Sequence, residues 1–215
     1  VSNDDNKAVI KANNQNYTFD AVLYATGRKA NTANIGLEHT DIATNERGAI
    51  VVNDTCESSV PGVYAVGDVN GGPQFTYVSL DDFRIVFGAL TGSGHYTLKD
   101  RKNIPYTTFL TPPLSRVGLT EEDAINQGYT IKTKEMLVAT MPRAHVNDYL
   151  KGAFKIVVDA ENDLILGATL YSQGAEELIN LIKMAMDNNI PYTYFKNQIF
   201  THPTMAENLN DLCNF

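Results

Sequence analysis

The stretch GAFKIVVDAENDLILGATLY, Gly152 to Tyr171, decides the fold class of the C-terminal half. Two apolar runs, Gly152 to Val158 and Leu164 to Tyr171, flank Asp159-Ala160-Glu161-Asn162-Asp163, a cluster of turn-forming residues. Branched apolar runs joined by a short polar turn predict an antiparallel hairpin. Upstream of it, Ile131 to Ala139 and Thr107-Thr108-Phe109-Leu110 read as strands. Between them, Thr120-Glu121-Glu122-Asp123 reads as a helix start, with a capping threonine and acids in the first turn, and Gly128 as its stop. Downstream, Leu178, Ile179, Ile182, Ala185 and Met186 share one face of a helix over Ala175 to Asp187, and Pro191 marks its far boundary. A last helix is expected from near Thr204. These elements predict a self-contained α+β domain over residues 101–215, an antiparallel sheet with helices.

The N-terminal half has a different pattern. Ala8-Val9-Ile10-Lys11 and Asn16-Tyr17-Thr18-Phe19 flank the loop Ala12-Asn13-Asn14-Gln15, which predicts a second hairpin. Asp20 to Ala25 is a continuous apolar run ending at Thr26-Gly27-Arg28, read as a buried strand. Gly48 to Val52 and Val63 to Val66 read as short strands. The second stops at Gly67-Asp68, and a loop, Asn70-Gly71-Gly72-Pro73, follows. Thr76 opens a helix running to about Thr91, before Gly92-Ser93-Gly94. One hairpin and one buried strand do not stand alone, so residues 1–28 are expected to be the end of a domain.

The chain has 215 residues, 43% of them hydrophobic, which is enough for a core, and a net charge of −8. An acidic surface repels phosphate backbones and argues against nucleic acid as a partner. No apolar run is long enough to span a bilayer, so no membrane role is expected. Two distant cysteines, Cys56 and Cys213, make neither a disulfide framework nor a zinc site, and fit a reducing, cytoplasmic setting. Each is read as an idle thiol. His39, His95 and His145 lack metal-ligand spacing, and Arg143 is read as a surface ion-pair residue.

Two places carry chemistry. The strand VYAVGD, Val63 to Asp68, ends at the kind of sheet edge where ligands sit. Gly67 there would let a ligand approach the backbone. Asp68 offers a carboxylate to sugar-alcohol hydroxyls, or simply caps a turn. The helix start after it suits an electron-rich carbonyl or anion. The second place is THPTMAENL, Thr201 to Leu209. Histidine titrates near neutrality and suits proton transfer between thiols, and a carboxylate five residues on can fix its tautomer. The same residues, Thr204-Met205-Ala206-Glu207, also spell a capping box, in which Glu207 only starts a helix. A carboxylate has two oxygens, so both readings stay open.

Three segments in order, Asp20 to Arg28, Val60 to Asp68 and Thr201 to Thr204 with Glu207, resemble the C-terminal half of a pyridine nucleotide-disulfide oxidoreductase. This is the flavoprotein family of glutathione reductase, dihydrolipoamide dehydrogenase and mercuric reductase. NGGPQFTYVSLDDFRIV (Asn70 to Val86), MPRAHVND (Met141 to Asp148) and QIFTHPTMAENLNDL (Gln198 to Leu212) resemble its reactive-chlorine-resistance and hypothiocyanous-acid-reducing branch. Tyr77 and Phe83 stand where most of the family has proline and glycine.

The resemblance implies an α+β dimerisation domain preceded by a partial α/β FAD/NAD-binding domain. Residues 1–28 would end the NAD(P)-binding domain, 29–100 would be the return segment of the FAD-binding domain, and 101–215 the dimerisation domain. Gly67 and Asp68 would lie at the FAD ribitol, with the backbone of Phe75 and Thr76 at the flavin pyrimidine end. His202 would be the acid–base residue, supplied to the partner subunit's site in a homodimer, and Glu207 would orient it. The His202–Pro203 bond is expected to be cis.

Neither G-x-G-x-x-G nor C-x-x-x-x-C occurs in the chain. It is therefore expected to be a C-terminal fragment, inactive alone, that needs the N-terminal FAD/NAD half for FAD and NAD(P)H chemistry. Cys213-Asn214-Phe215 lacks a vicinal cysteine pair, which counts against mercury as substrate. The alternative is an isolated, non-catalytic dimerisation module.

Overall fold

In the C-terminal half, alternation along the Gly152–Tyr171 stretch sends Phe154, Ile156 and Val158 to one side, and all three are buried. In a computed structural model these residues form the centre of a sheet. The structure describes residues 2–4 and 7–215, with side chains from residue 7 onward; Val1, Asp5 and Asn6 of the first predicted block lie outside the described residues. The chain divides into two units, Val1–Leu98 and Lys99–Phe215.

The first unit holds β1 (Ser2–Asp4), β2 (Lys7–Ala12) and β3 (Gln15–Phe19), an antiparallel meander, and α1 (Thr76–Thr91). The turn between β2 and β3 is Asn13-Asn14, both at positive φ (48° and 60°), a backbone that asparagine tolerates better than most residues and that suits a tight hairpin. α1 runs over the expected span and ends at Gly92, φ 67°.

Three strand expectations fail here. Asp20 to Ala25 is not a strand; Leu23 and Tyr24 are 88% and 67% exposed. A buried strand takes its hydrogen bonds from neighbours on either side, and among the described residues none pairs with this run. Gly48 to Val52 and Val63 to Val66 make only isolated bridges, Thr44 with Ile50, Val52 with Ser58 and Glu57 with Tyr64.

The second unit holds β4 (Tyr106–Thr108), β5 (Leu114–Gly118), α2 (Glu121–Asn126), β6 (Ile131–Leu137), α3 (Pro142–Val146), β7 (Ala153–Asp159), β8 (Ile165–Tyr171), α4 (Ala175–Asp187), α5 (Tyr192–Asn197) and α6 (Asn208–Leu212). The sheet is antiparallel, in the order β4-β5-β8-β7-β6. Its core joins Phe154, Ile156 and Val158 of β7 to Ala168 and Leu170 of β8. Leu178, Ile179 and Ile182 of α4 and Leu209 and Leu212 of α6 complete it. The Asp159 carboxylate accepts from Glu161 N–H (2.8 Å) and Asn162 Nδ2 (2.7 Å), so the hairpin turn is held by its own first residue. Thr120 and Asp123 cap α2 reciprocally, as the motif predicts.

Some boundaries move. Thr107 to Leu110 reduces to Tyr106–Thr108, and β6 stops at Leu137, where residues 138–140 turn into a short 3-10 helix. β5 is an element the pattern hides, because one of its two inward residues is Ser115, bonded to Thr107 Oγ1 at 2.8 Å rather than packed as an apolar side chain. Pro191, read as a stop, is the N-cap of α5. The last helix begins at Asn208, not near Thr204. The Thr204 and Met205 carbonyls accept from the Asn208 side chain (3.1 Å each), so this turn stays outside the α ladder.

Candidate functional site

His202 lies on the loop between α5 and α6, its side chain 69% exposed. Its peptide bond to Pro203 is cis. Nδ1 is 2.8 Å from Glu207 Oε2. The other oxygen, Oε1, accepts from Thr204 N–H at 3.1 Å, and Glu207 N–H donates to Thr204 Oγ1 at 3.2 Å. One carboxylate thus serves both readings at once, holding the imidazole and closing a reciprocal turn with Thr204.

The charge state follows from these bonds. Partial burial pushes the Glu207 carboxyl up. The His202 hydrogen bond, the Thr204 N–H and the imidazole's charge outweigh it and hold Glu207 below the ordinary glutamate range. An ionised carboxylate only accepts, so Nδ1 carries the proton in this bond. Nε2 is left to take up or release a proton on the exposed side. A ring fixed in one tautomer, with its other nitrogen in reach of solvent, is equipped for general acid–base work.

The first unit holds the other predicted residues. Gly67 begins a 3-10 turn, Gly67–Asn70, and is buried. Gly67 also meets a packing demand: a Cβ there would lie 2.6 Å from Ser79 Oγ, so the glycine lets helix α1 approach. Asp68 has a half-exposed carboxylate, 3.9 Å from Arg28 Nη1, and Arg28 also donates to Gln74 O at 3.5 Å. Both line a cavity of about 630 Å³ with Lys29, Asn45, Arg47 and Gln74. Phe75 is the N-cap of α1, Thr76 its first residue, and the Phe75 and Tyr77 rings stack at 5.1 Å.

Pattern reading missed Asp82. It is buried on α1, and its Oδ2 accepts from Gly67 N–H (2.7 Å) and Asn70 Nδ2 (2.9 Å). It ties the turn that presents Asp68 to the helix behind it. A single acid on a helix face carries no periodic signal, and a buried one reads in sequence as an exposed one.

Burial pushes the Cys213 thiol up to about 12, against the opposing effect of the Lys134 charge. The thiol, not the thiolate, is then present at neutral pH. Native protein at pH 7.5 should therefore leave Cys213 unlabelled by iodoacetamide under conditions that alkylate it fully in urea, as read by mass spectrometry. Rapid native labelling would show that α6 opens.

The family model described as pyridine nucleotide-disulphide oxidoreductase, dimerisation domain, matches residues 104–213, and that described as pyridine nucleotide-disulphide oxidoreductase matches residues 1–82. The chain is 46% identical over 212 residues to the probable pyridine nucleotide-disulfide oxidoreductase RclA of Escherichia coli (strain K12), covering 99% of this chain and 48% of that protein. It is 34% identical over 202 residues to a mercuric reductase of Staphylococcus aureus, covering 93% of this chain and 37% of that protein. The solved HOCl-induced flavoprotein disulfide reductase RclA from Escherichia coli superposes with a TM-score of 0.92 at 45% identity, over 98% of this chain and 48% of that one. The chain thus spans about half the length of its RclA relative, or less in the mercuric reductase.

Proposed function

The chain belongs to the pyridine nucleotide-disulphide oxidoreductase family, and from that membership we propose that it works as the C-terminal half of an FAD-dependent NAD(P)H:disulfide or oxidant oxidoreductase. In this reading residues 1–28 end the NAD(P)-binding domain, 29–100 return to the FAD-binding domain and 101–215 form the dimer interface. His202 serves the partner subunit's active site. The observation that carries the reading is the His202–Glu207 pair on an exposed loop.

The proton bookkeeping is short. An attacking thiol loses its proton to His202 Nε2 as its sulfur joins one sulfur of a disulfide. The S–S bond breaks, and the leaving sulfur takes the proton back from the imidazolium. Glu207 keeps Nδ1–H in place through both steps. FAD, when bound, supplies the electron transfer from NAD(P)H. The Asp68 carboxylate and Arg28 guanidinium on one cavity wall supply an acceptor and a donor, which suits a polyol such as ribitol, and Gly67, Phe75 and Thr76 complete that end.

By the same reading the chain alone is inactive, acts in the cytoplasm and needs the N-terminal half of its parent. The substrate is an oxidant or disulfide, the HOCl response of the Escherichia coli relative being one guide to its class. The family match over residues 104–213 also favours a second reading, a dimerisation module without catalysis.

Subunit complementation separates the two. Full-length protein carrying His202→Ala is mixed, after dissociation, with full-length protein whose upstream redox cysteines are serines. Each parent should be nearly inactive, and random re-pairing should restore about a quarter of wild-type activity, because half the dimers then hold one intact composite site. No recovery in proven mixed dimers would end the proposal that the histidine serves the partner.

A further inference from the structure

The His202 loop is gripped at its ends. Ile199 is 95% exposed and the His202 side chain 69%, while Phe200 and Met205 pack against the core. Thr204 Oγ1 bonds Thr201 O at 2.7 Å, which closes the tip on itself but does not aim it. Helices α5 and α6 flank the loop, and the Asn210 side chain hydrogen-bonds across them: Nδ2 donates to Phe195 O (2.6 Å) and Lys196 O (3.3 Å) at the end of α5, and to Gln198 O (2.9 Å) on the outgoing arm. α6 is fixed in turn by Lys134 of β6, whose Nζ donates to Asp211 O (2.7 Å) and Asn214 O (2.5 Å).

These carbonyls are the orphan acceptors that end a helix, and satisfying them with one amide makes the closing turn of α5 and the opening arm of the loop move as a unit with α6. Glu207 is the N-cap residue of α6, so the same helix carries the carboxylate that holds the imidazole. We infer that Asn210 is a positioning residue for His202, setting the direction of the imidazole by tying the outgoing arm of its loop to α6, the helix into which the returning arm runs. The inference rests on the acid–base role proposed above.

A misplacement of about 1 Å in an acid–base group can cost about 100-fold in rate. Three full-length variants test the inference: Asn210→Ala, His202→Ala and the double variant. Asn210→Ala should lower kcat with the oxidised substrate about 10- to 100-fold. The rate of flavin reduction by NAD(P)H and the KM for the nucleotide, which do not use the imidazole, should stay unchanged. The double variant should be no slower than His202→Ala alone, because a residue that acts only through the histidine has nothing left to position. Asn210→Ser, which keeps one donor, carries the same test if the alanine variant does not fold. A wild-type kcat in Asn210→Ala beside a slow His202→Ala overturns the positioning role alone. So does a double variant slower by the product of the two single effects. A wild-type rate in His202→Ala is a different result: it removes the acid–base reading, and the positioning role falls with it.

Discussion

Replacing His202 by alanine in the full-length protein is expected to lower turnover of the oxidised substrate by about 10²- to 10⁴-fold, the usual worth of a positioned acid–base group. A cysteine thiol of ordinary acidity is a few per cent thiolate at neutral pH, and a departing thiolate is a poor leaving group without a proton donor. One imidazole solves both problems when it sits between the two sulfurs. His202 is suited to this because its Nδ1 is engaged by Glu207 at 2.8 Å while the side chain is 69% exposed, which leaves Nε2 for the reacting sulfurs. The loss should be confined to steps after flavin reduction, so stopped-flow reduction by NAD(P)H should keep its wild-type rate while steady-state turnover collapses. The second unit should keep its fold, because a 69% exposed side chain contributes little to the core. Steady-state turnover within twofold of wild type would remove the histidine from the mechanism.

The His202–Glu207 pairing is partly legible in the sequence. Glu207 lies five residues after His202 and three after Thr204, and each spacing points to one of the two roles its oxygens fill. Asn210 and Asp82 were not legible. Asn210 bonds carbonyls 12 to 15 residues away, and backbone carbonyls carry no side-chain identity. The same division runs through the fold. The Gly152–Tyr171 hairpin and helices α1 and α4 are encoded by local alternation, caps and stop glycines, and they stand where expected. Asp20 to Ala25 has an equally apolar pattern, yet a strand exists only where a neighbour pairs with it, and pairing is not a local property. β5 failed in the opposite sense, since its inward Ser115 satisfies a hydroxyl rather than filling space.

The largest expected stability effect comes from a residue with no side chain. Gly152 has φ 122°, a backbone that L-residues rarely adopt, and a Cβ built on it would lie 1.7 Å from Tyr171 O and 2.8 Å from Tyr171 C. No rotamer relieves a clash with a carbonyl. Tyr171 ends β8 and pairs with Ala153 at the start of β7, while Gly152 O accepts from Val138 N–H at 3.0 Å. Relief therefore means parting β7 from β8 or breaking the β6–β7 connection, and Phe154 of the core lies two residues on. Backbone strain of about 1–3 kcal/mol and overpacking of about 1–3 kcal/mol add in the same direction. Gly152→Ala should then lower the urea midpoint of the second unit by roughly 1–3 M, at a mid-range dependence of about 2 kcal/mol per M. Gly128→Ala is the matched control. Gly128 also has positive φ, 85°, but nothing stands within 4 Å of its Cβ, so only the conformational cost remains, about 1–2 kcal/mol. Equal shifts in the two variants would show that β7 and β8 part without penalty at that end. A much larger shift for Gly152 ties the close approach of these strands to the integrity of the sheet on which α6, and with it the His202 loop, is mounted.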